Sequence, residues 1–270
     1  MHQVIESILH RRLQSVPIAD GKKIGLVLYG GVMGGIRGAG AMIALEEMGL
    51  AQAFDCIYTN SAGFANASYL MAGATQLGTS IYYEDLAGWR FINLFRFWKT
   101  VDIDFLITVM QERKHLPIEK ILKSQTKLFV TLQNVQKHKA EFLEVHREPH
   151  EQYLELMRAA TSIPYLHPGA VRIHGVPYMD IPMRQPVQHL EQAVADGCTD
   201  VLVIKNYREQ LPQKIHESDQ VYVVQPDASW KLSRLEHQPT RLKQACVQMG
   251  TLVNHTFGIE QEILLQYEKF

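Results

Sequence analysis

The sequence predicts an α/β fold of three layers, in which helices cover both faces of a mainly parallel central sheet. Short apolar runs indicate strands that are buried on both faces, and each of the first two runs is followed by a tight turn and a helical stretch. In the first unit, the apolar run at residues 24–29 precedes a glycine-dense stretch, 30–40, and then residues 41–48, which favour a helix. Gly49 is suited to end that helix.

A second unit repeats this order along the chain. Residues 54–59 predict a strand, residues 60–63 a tight turn, and residues 64–71 a helix that stops at Gly73. Two such units in series favour parallel pairing of their strands, because each helix carries the chain back to the same end of the sheet.

The rest of the chain continues the α/β pattern, without repeats or a linker-like composition. Further strands are predicted at residues 128–132, 201–204 and 221–224. Helices are predicted at residues 151–160 and 186–195. The alternation of the two element types supports a layered α/β architecture over an all-helical one.

Length and composition favour a single domain. With 46% hydrophobic residues, a chain of 270 residues can bury one sizeable core. We expect an amphipathic N-terminal lead-in at residues 1–21 and a single domain at residues 22–270. The 3 cysteines are odd in number and widely spaced, so they indicate neither a disulfide framework nor a zinc site.

Charge and hydropathy exclude several classes of function. Lys and Arg total 27 and Asp and Glu total 28, so the formal net charge of -1 gives no overall attraction to nucleic acid or to an anionic membrane. The N-terminus lacks the apolar stretch of a signal peptide, and no run of about 18 apolar residues is present. We expect a cytoplasmic protein that binds no nucleic acid and whose contact with a membrane surface is at most peripheral.

Ser61 is the first candidate for chemistry, because it lies where a strand is predicted to turn into a helix. A nucleophile elbow has the pattern Gly-x-Ser-x-Gly at such a turn, which exposes the serine hydroxyl above the helix N-terminus. Here the pattern reads Thr59-Asn60-Ser61-Ala62-Gly63, with threonine in place of the first glycine. The alternative is an ordinary serine that caps a helix.

The glycine-rich turn after the first strand is the second candidate. The stretch Gly30-Gly31-Val32-Met33-Gly34-Gly35 lies directly after that strand and opens a helix, a place where backbone amides can converge on an anion. An acyl oxyanion beside a nucleophile is one such anion. A dinucleotide is the alternative, but the middle glycine of that fingerprint is missing, and so is the acidic residue expected after the second strand.

Together these motifs resemble the patatin-like phospholipases. The resemblance begins with Tyr-Gly-Gly-Val-Met-Gly-Gly and continues to Ala-Leu-Glu-Glu, over residues 29–47, and it includes the elbow at 55–63. A third match is Arg-Ala-Ala-Thr-Ser-Ile-Pro at 158–164, followed by Tyr-Met-Asp at 178–180. The likeness spans roughly residues 22–255, and motifs at matching separations are more specific than any one alone.

The resemblance implies a lipid acyl hydrolase of the phospholipase A or lysophospholipase type. In this family a serine and an aspartate form a catalytic dyad, which places the nucleophile at Ser61 and the general base at Asp180. The substrate would be a lipid ester, and neither a metal nor an organic cofactor is implied. The oxyanion hole would be formed by the glycine turn at Gly30, Gly31, Val32 and Gly35.

Three departures from the family pattern keep a second hypothesis open. Gly34 stands where many relatives carry Arg or Lys, and Arg37 either compensates for this or is a surface charge. Thr59 replaces the elbow glycine. Asp180 is followed by Ile-Pro in place of glycine, with a shortened spacing to Pro186, which would displace the base. The alternative function is therefore a catalytically impaired member that binds a lipid or a protein partner.

Two further features have competing interpretations. His167 and His174 flank the approach to Asp180, and a histidine base is common in serine hydrolases, although the resemblance argues against one here. Residues 89–99 mix aromatic and cationic side chains, as segments at a membrane interface do. The same composition suits an amphipathic segment that packs on the core with its cations in solvent.

Overall fold

Apolar runs without alternation should form strands covered on both faces, and the chain folds in this way. A computed structural model describes residues 1–14, 16–93, 95–96, 99–167, 169–182, 185–209 and 218–265. Within those residues, eight strands form one sheet. They are Ile24–Leu28 (β1), Cys56–Thr59 (β2), Lys127–Asn134 (β3), Lys139–Glu144 (β4), Val171–Ile173 (β5), Val176–Met179 (β6), Asp200–Ile204 (β7) and Val221–Val224 (β8).

The sheet has a parallel centre and an antiparallel edge. The strand order is β5-β6-β3-β2-β1-β7-β8, and β4 also pairs with β3. The strands β3, β2, β1, β7 and β8 pair in parallel, whereas β4, β5 and β6 join through antiparallel pairs. Strand β1 lies at the centre of the five parallel strands and is buried along its whole length. The turns that follow β1, β2 and β7 therefore meet at one edge of the sheet.

The helices flank the sheet on both sides. They are Gln3–His10 (α1), Ile36–Glu47 (α2), Ala62–Met71 (α3), Thr75–Ser80 (α4), Ile103–Thr108 (α5), Ile118–Leu122 (α6), Tyr153–Thr161 (α7), His189–Ala195 (α8) and Pro239–Thr256 (α9). The chain is thus a mixed α/β protein with a mainly parallel sheet between helical layers. The fold class predicted from the sequence is confirmed.

Alternate residues of β1 pack in two separate hydrophobic cores. Leu26 and Leu28 belong to the larger core, which the helices α2, α3, α7 and α9 cover. Val27 faces the opposite side and packs in a smaller core with Ala193 of α8. This division explains why the run at residues 24–29 is apolar at every position and not at every second one.

The helix after β1 begins earlier than predicted. Helix α2 begins at Ile36 and not at residue 41, because a 3-10 turn at Val32–Gly35 leads directly into it. The glycines near its start are needed for close packing: a Cβ on Gly40 would lie 2.1 Å from the Cys246 carbonyl oxygen of α9. Glycine density at this place therefore reflects contact between two helices as well as a turn.

The N-terminal segment is tied to the sheet by a buried arginine. Helix α1 packs beside β7 and β8. The Arg11 guanidinium is fully buried and pairs with Asp20 and with Asp55, at 2.7 Å each. Hydrogen bonds to the carbonyls of Ala53 and Lys22 complete its shell. No helix in the described ranges has the length and apolar character needed to cross a membrane.

Candidate active site

Ser61 occupies a sharp turn between β2 and α3. Its backbone has φ 51° and ψ -136°, outside the helical and extended regions that a serine ordinarily adopts. A positive φ in a residue other than glycine costs free energy, and such residues concentrate at functional sites. The side chain is almost buried, with 7% of its surface exposed. The turn thus holds the hydroxyl at the N-terminus of α3, where the helix dipole favours negative charge.

Two glycines make room for this turn. A Cβ on Gly30 would lie 2.4 Å from the Ser61 Cβ and 2.9 Å from the Asn60 carbonyl oxygen. A Cβ on Gly63 would lie 2.4 Å from the Leu28 carbonyl oxygen at the end of β1. Each position therefore requires glycine because a backbone passes against it.

Thr59 and Asn60, the remaining predicted elbow residues before Ser61, join the turn to its neighbours. The Thr59 hydroxyl donates to the Phe129 carbonyl of β3 at 2.9 Å. The Asn60 side-chain oxygen accepts the Gly30 amide at 3.2 Å, which holds the elbow against the glycine turn. Threonine is accommodated in place of the usual glycine because its hydroxyl has a partner in the adjacent strand.

Asp180 lies beside Ser61, just beyond β6. The Ile181 amide donates to its carboxylate at 2.8 Å, and the carboxylate shares a cavity wall with the Ser61 hydroxyl. Its own amide donates to the Ser162 carbonyl at 3.1 Å, which fixes the backbone. Burial raises the pKa of this carboxyl to about 7, against the lowering effects of the Ser61 hydroxyl and the Ile181 amide. A carboxyl with this pKa can accept a proton near neutral pH.

The unusual sequence after Asp180 does not move it away from Ser61. Ile181 is buried in the smaller core, and its amide is the one that bonds to the Asp180 carboxylate. The displacement expected from the Ile-Pro sequence is therefore not observed at Asp180. Met183 and Arg184, within the shortened spacing, lie outside the described residues.

The glycine turn presents two backbone amides to the space beside Ser61. The amides of Gly31 and Val32 have no hydrogen-bond acceptor in the described part of the chain, and both residues line the same cavity as Ser61. Val32 has φ 53°, a second strained position. Gly30 lines this cavity too, but its amide donates to Asn60. Gly31 and Val32 are thus the amides available to an oxyanion.

Gly35 and Ala62 have a packing role. A Cβ on Gly35 would lie 2.6 Å from the Ala62 Cβ, so the starts of α2 and α3 touch at this point. The Gly35 carbonyl accepts the Asn66 side-chain amide at 2.8 Å. Gly35 lines neither of the two cavities at Ser61. The structure therefore separates Gly35 from the other three residues predicted for the oxyanion hole.

Ser61 lies where two cavities of different character meet. The first is lined almost entirely by apolar side chains, with Phe91, Leu106 and Met110 among them. The second is lined by Asp180 together with Arg234 and Glu209. Ser61, Val32 and Ile163 line both. An ester bound with its carbonyl at Ser61 could therefore place its apolar and polar parts on opposite sides.

Asn206 is a supporting residue that the sequence analysis missed. It follows β7 and is fully buried. Its side-chain nitrogen donates to the carbonyls of Tyr29 at 2.5 Å and Gly30 at 2.9 Å, and its side-chain oxygen accepts the Gly38 amide at 2.7 Å. This one amide thus fixes both ends of the glycine turn. The available signal was a polar residue directly after a buried strand that neighbours β1.

Tyr207 explains the absence of a side chain at Gly34. A Cβ on Gly34 would lie 1.8 Å from the Tyr207 hydroxyl oxygen, so the tyrosine fills the place that a longer residue would take. Arg37 is buried, which corrects its interpretation as a surface charge. It donates to the carbonyls of Asn206 and Trp230 and lines neither cavity at Ser61. It therefore does not replace the missing cation in the site.

The two histidines considered as bases lie away from Ser61. His174 pairs with Glu148 at 2.6 Å and is largely exposed. His167 is half-buried, and burial lowers its pKa. Neither histidine lines either cavity. The geometry thus brings together Ser61 and Asp180 and leaves both histidines out.

The aromatic and cationic segment at residues 89–99 is described only in part, because Leu94, Phe97 and Trp98 lie outside the described residues. Trp89 is 61% exposed and Phe95 is 80% exposed, whereas Phe91 between them is buried and lines the apolar cavity. The segment thus has a buried side toward the cavity and an exposed aromatic side.

Comparisons with known proteins do not identify the reaction. No family model and no curated protein matches the chain. Among solved structures, the crystal structure of VipD from Legionella pneumophila is similar over 87% of this chain and 67% of that chain. Its TM-score is 0.47 and its sequence identity is 11%. Similarity at this level does not specify a reaction.

Proposed function

We propose that this chain is a lipid acyl hydrolase that cleaves carboxylic esters through a Ser61–Asp180 dyad. The supporting observation is a serine hydroxyl, held in a strained turn, that lies beside a buried carboxylate whose pKa is raised to about 7. Both groups line one polar cavity, and the serine also opens onto an apolar one. This arrangement suits attack on an ester that has an apolar acyl chain.

The first half of the reaction forms an acyl-enzyme. Asp180 takes the proton of the Ser61 hydroxyl while the oxygen attacks the ester carbonyl. The amides of Gly31 and Val32 donate to the oxyanion, and loss of one such donor typically costs about 10²- to 10³-fold in rate. When the tetrahedral intermediate collapses, the bond to the alcohol breaks and the alcohol takes the proton from Asp180. The acyl group is left on Ser61.

The second half returns the enzyme to its starting state. Asp180 takes a proton from a water molecule, and the hydroxide oxygen attacks the acyl carbon. The same two amides stabilise the second oxyanion. Collapse breaks the bond to the Ser61 oxygen, which recovers its proton from Asp180, and the carboxylic acid leaves. The residues present supply each proton transfer, so no cofactor enters the scheme.

The two cavities suit different parts of the substrate. The apolar cavity would hold the acyl chain, because it offers aliphatic and aromatic surface and almost no polar groups. The polar cavity would hold the alcohol and admit the water, since Asp180 must reach both oxygens. A medium-length acyl chain should therefore be preferred over a very short one.

The test is covalent labelling of the purified protein with a fluorophosphonate, followed by peptide mass analysis. We expect one adduct on the peptide that carries Ser61, and none in Ser61→Ala. Ser229→Ala, a change at an exposed serine, should label as the wild type does. Turnover of p-nitrophenyl butyrate and octanoate should follow the same pattern. A wild type that is neither labelled nor active would favour the non-catalytic lipid-binding or protein-binding alternative.

We also propose a peripheral contact with lipid surfaces through an aromatic lip, defined as Trp89, Phe95 and Tyr165. These side chains are 61%, 80% and 96% exposed. Tyr165 follows Ile163 of the cavity wall. The Leu166 carbonyl accepts the Val101 amide at 3.1 Å, which connects this stretch to the chain just after residues 89–99. Exposed aromatic side chains beside an acyl cavity suit insertion between lipid headgroups.

The double variant Trp89→Ser with Phe95→Ser should lose vesicle binding. Removing two inserted aromatic side chains should weaken sedimentation with phosphatidylcholine vesicles by at least about tenfold. Hydrolysis of a soluble p-nitrophenyl ester should stay unchanged, because neither residue lines a cavity at Ser61. Val194→Ser, at an exposed residue of α8, is the matched control. Equal vesicle binding by both variants would contradict the proposed lip.

A further inference from the structure

Arg234 lines the polar cavity, and its guanidinium is not neutralised by a neighbouring carboxylate of the described residues. The arginine shares the cavity wall with Ser61, Asp180 and the glycine turn. No described residue accepts a hydrogen bond from its guanidinium or forms an ion pair with it. The guanidinium carbon lies over the Tyr207 ring, 4.3 Å from the ring centroid. A guanidinium on an aromatic face keeps its N–H groups available for an oxyanion at its edge.

Two contacts hold Arg234 beside the glycine turn. Its carbonyl accepts the Met33 amide at 3.1 Å, which attaches it to the turn that carries Gly31 and Val32. The Tyr207 ring beneath the guanidinium packs against Gly31 and Gly34. The arginine is therefore built into the site, although about two hundred residues of sequence separate it from the glycine turn.

Glu209 supplies a second charge to the same cavity. Its carboxylate is exposed and forms no ion pair with any residue in the described ranges. The negative charge of Glu209 and the positive charge of Arg234 both act on Tyr207, so the two groups lie in one neighbourhood. A ligand that carries a phosphate and an ammonium would match both charges.

We propose that Arg234 binds the phosphate, and Glu209 the ammonium, of a zwitterionic lipid headgroup in the polar cavity. The inference rests on the proposed function and makes it more specific, since it assigns the leaving alcohol of the ester to a choline or ethanolamine phospholipid or lysophospholipid. Arg234 selects the phosphate through charge-assisted hydrogen bonds. Glu209 distinguishes an ammonium-bearing headgroup from an uncharged one on the same phosphate.

The main experiment compares two esters with the same acyl chain, a lysophosphatidylcholine and a monoacylglycerol. We expect Arg234→Gln to lower kcat/KM for the lysophosphatidylcholine by about 10- to 100-fold and for the monoacylglycerol by less than about threefold. Arg234→Lys, which keeps the charge without the fork, should fall between. Arg208→Gln, at an exposed arginine, is the matched control. An equal loss on both esters in both Arg234 variants would overturn the assignment.

A second comparison tests Glu209. Wild type should prefer lysophosphatidylcholine to lysophosphatidylglycerol of the same chain length, and Glu209→Gln should abolish that preference by raising the relative rate on the glycerol headgroup. Arg234→Gln should lower both rates together, because both headgroups carry the phosphate. An unchanged preference in Glu209→Gln would overturn the role of this carboxylate.

Binding measurements separate failure of this inference from failure of the proposed function. Calorimetric titration of Ser61→Ala with glycerophosphocholine needs no turnover. Binding that disappears in Ser61→Ala with Arg234→Gln supports the headgroup site even if wild type proves inactive. Active wild type whose Ser61→Ala form binds no glycerophosphocholine would retain the hydrolase and overturn the headgroup site. Equal affinity for inorganic phosphate and glycerophosphocholine would assign the site to free phosphate and would also overturn it.

Discussion

Asp180→Asn should lower kcat/KM for ester hydrolysis by about 10²- to 10⁴-fold, the usual contribution of a positioned general base. Asparagine keeps the size and shape of the side chain, and its oxygen can accept a hydrogen bond from the Ser61 hydroxyl. An amide cannot take up the proton, however, so the hydroxyl would attack without a base. Steady-state kinetics on p-nitrophenyl octanoate measure the loss. Asp219→Asn, at an exposed carboxylate, should keep wild-type turnover.

The pH dependence of the same reaction should identify the base. Only the ionised carboxylate can accept the serine proton, and burial raises the pKa of Asp180 to about 7. For the wild type, kcat/KM should therefore rise tenfold per pH unit below about 7 and level off above it. An ordinary exposed aspartate would place the inflection near pH 4. A wild-type profile without an inflection near pH 7 would argue against Asp180 as the base.

Asp180→Asn should also stabilise the fold above neutral pH. The folded state keeps the Asp180 proton up to about pH 7, whereas the unfolded chain releases it near pH 4. Between these values the folded state binds more protons, so this group makes the free energy of unfolding fall as the pH rises. A difference of about 3 pKa units corresponds to about 4 kcal/mol. Asparagine does not ionise, so Asp180→Asn does not lose this free energy of unfolding as the pH rises.

Thermal melts at two pH values test the sign of this effect. At pH 8, Asp180→Asn should melt at a higher temperature than wild type, by a few degrees or more. At pH 4 the two proteins should melt together, because the wild-type carboxyl is then protonated in the folded state. A variant that melts lower at pH 8 would mean that the ionised carboxylate stabilises the fold and that its pKa is not raised.

The sequence was most informative where chemistry imposes a local pattern. The elbow at Ser61 and the glycine turn at Gly30 each require glycine within a few residues of a strand end, and such patterns are visible in a single chain. Buried strands such as β1 and β7 were equally visible, because they are apolar at consecutive positions. Asp180 was identified through resemblance, since nothing in an isolated Tyr-Met-Asp sequence marks a base.

Features that depend on distant contacts could not be predicted in this way. Asn206 is 176 positions from Gly30, and an asparagine after a strand has no local mark of its partner. The start of α2 was predicted too late, because the glycines that pack against α9 have the same composition as a turn. Arg37 was taken for a possible surface charge, since its acceptors are backbone carbonyls from other parts of the chain.

Asn206→Ala should destabilise the fold strongly. It would leave the Gly38 amide and the carbonyls of Tyr29 and Gly30 without their buried partner. Each unsatisfied buried group costs about 1 to 3 kcal/mol, so the free energy of unfolding should fall by at least about 3 kcal/mol. In a domain of this size the melting temperature should drop by roughly 6 to 12 °C.

The same substitution should slow the reaction even in protein that remains folded. The Asn206 side chain holds the backbone immediately before Gly31, and a displaced turn would misplace the amides that face the oxyanion. Misplacement by about 1 Å can cost about 10²-fold in rate, so kcat should fall by about 10- to 100-fold at a temperature well below the melt. Asn254→Ala removes a buried side-chain amide of α9 that donates to the Gln261 carbonyl, away from both cavities. This control should lose stability and keep its kcat, and a matching loss of kcat in both variants would show that general loosening of the fold, and not the glycine turn, limits the reaction.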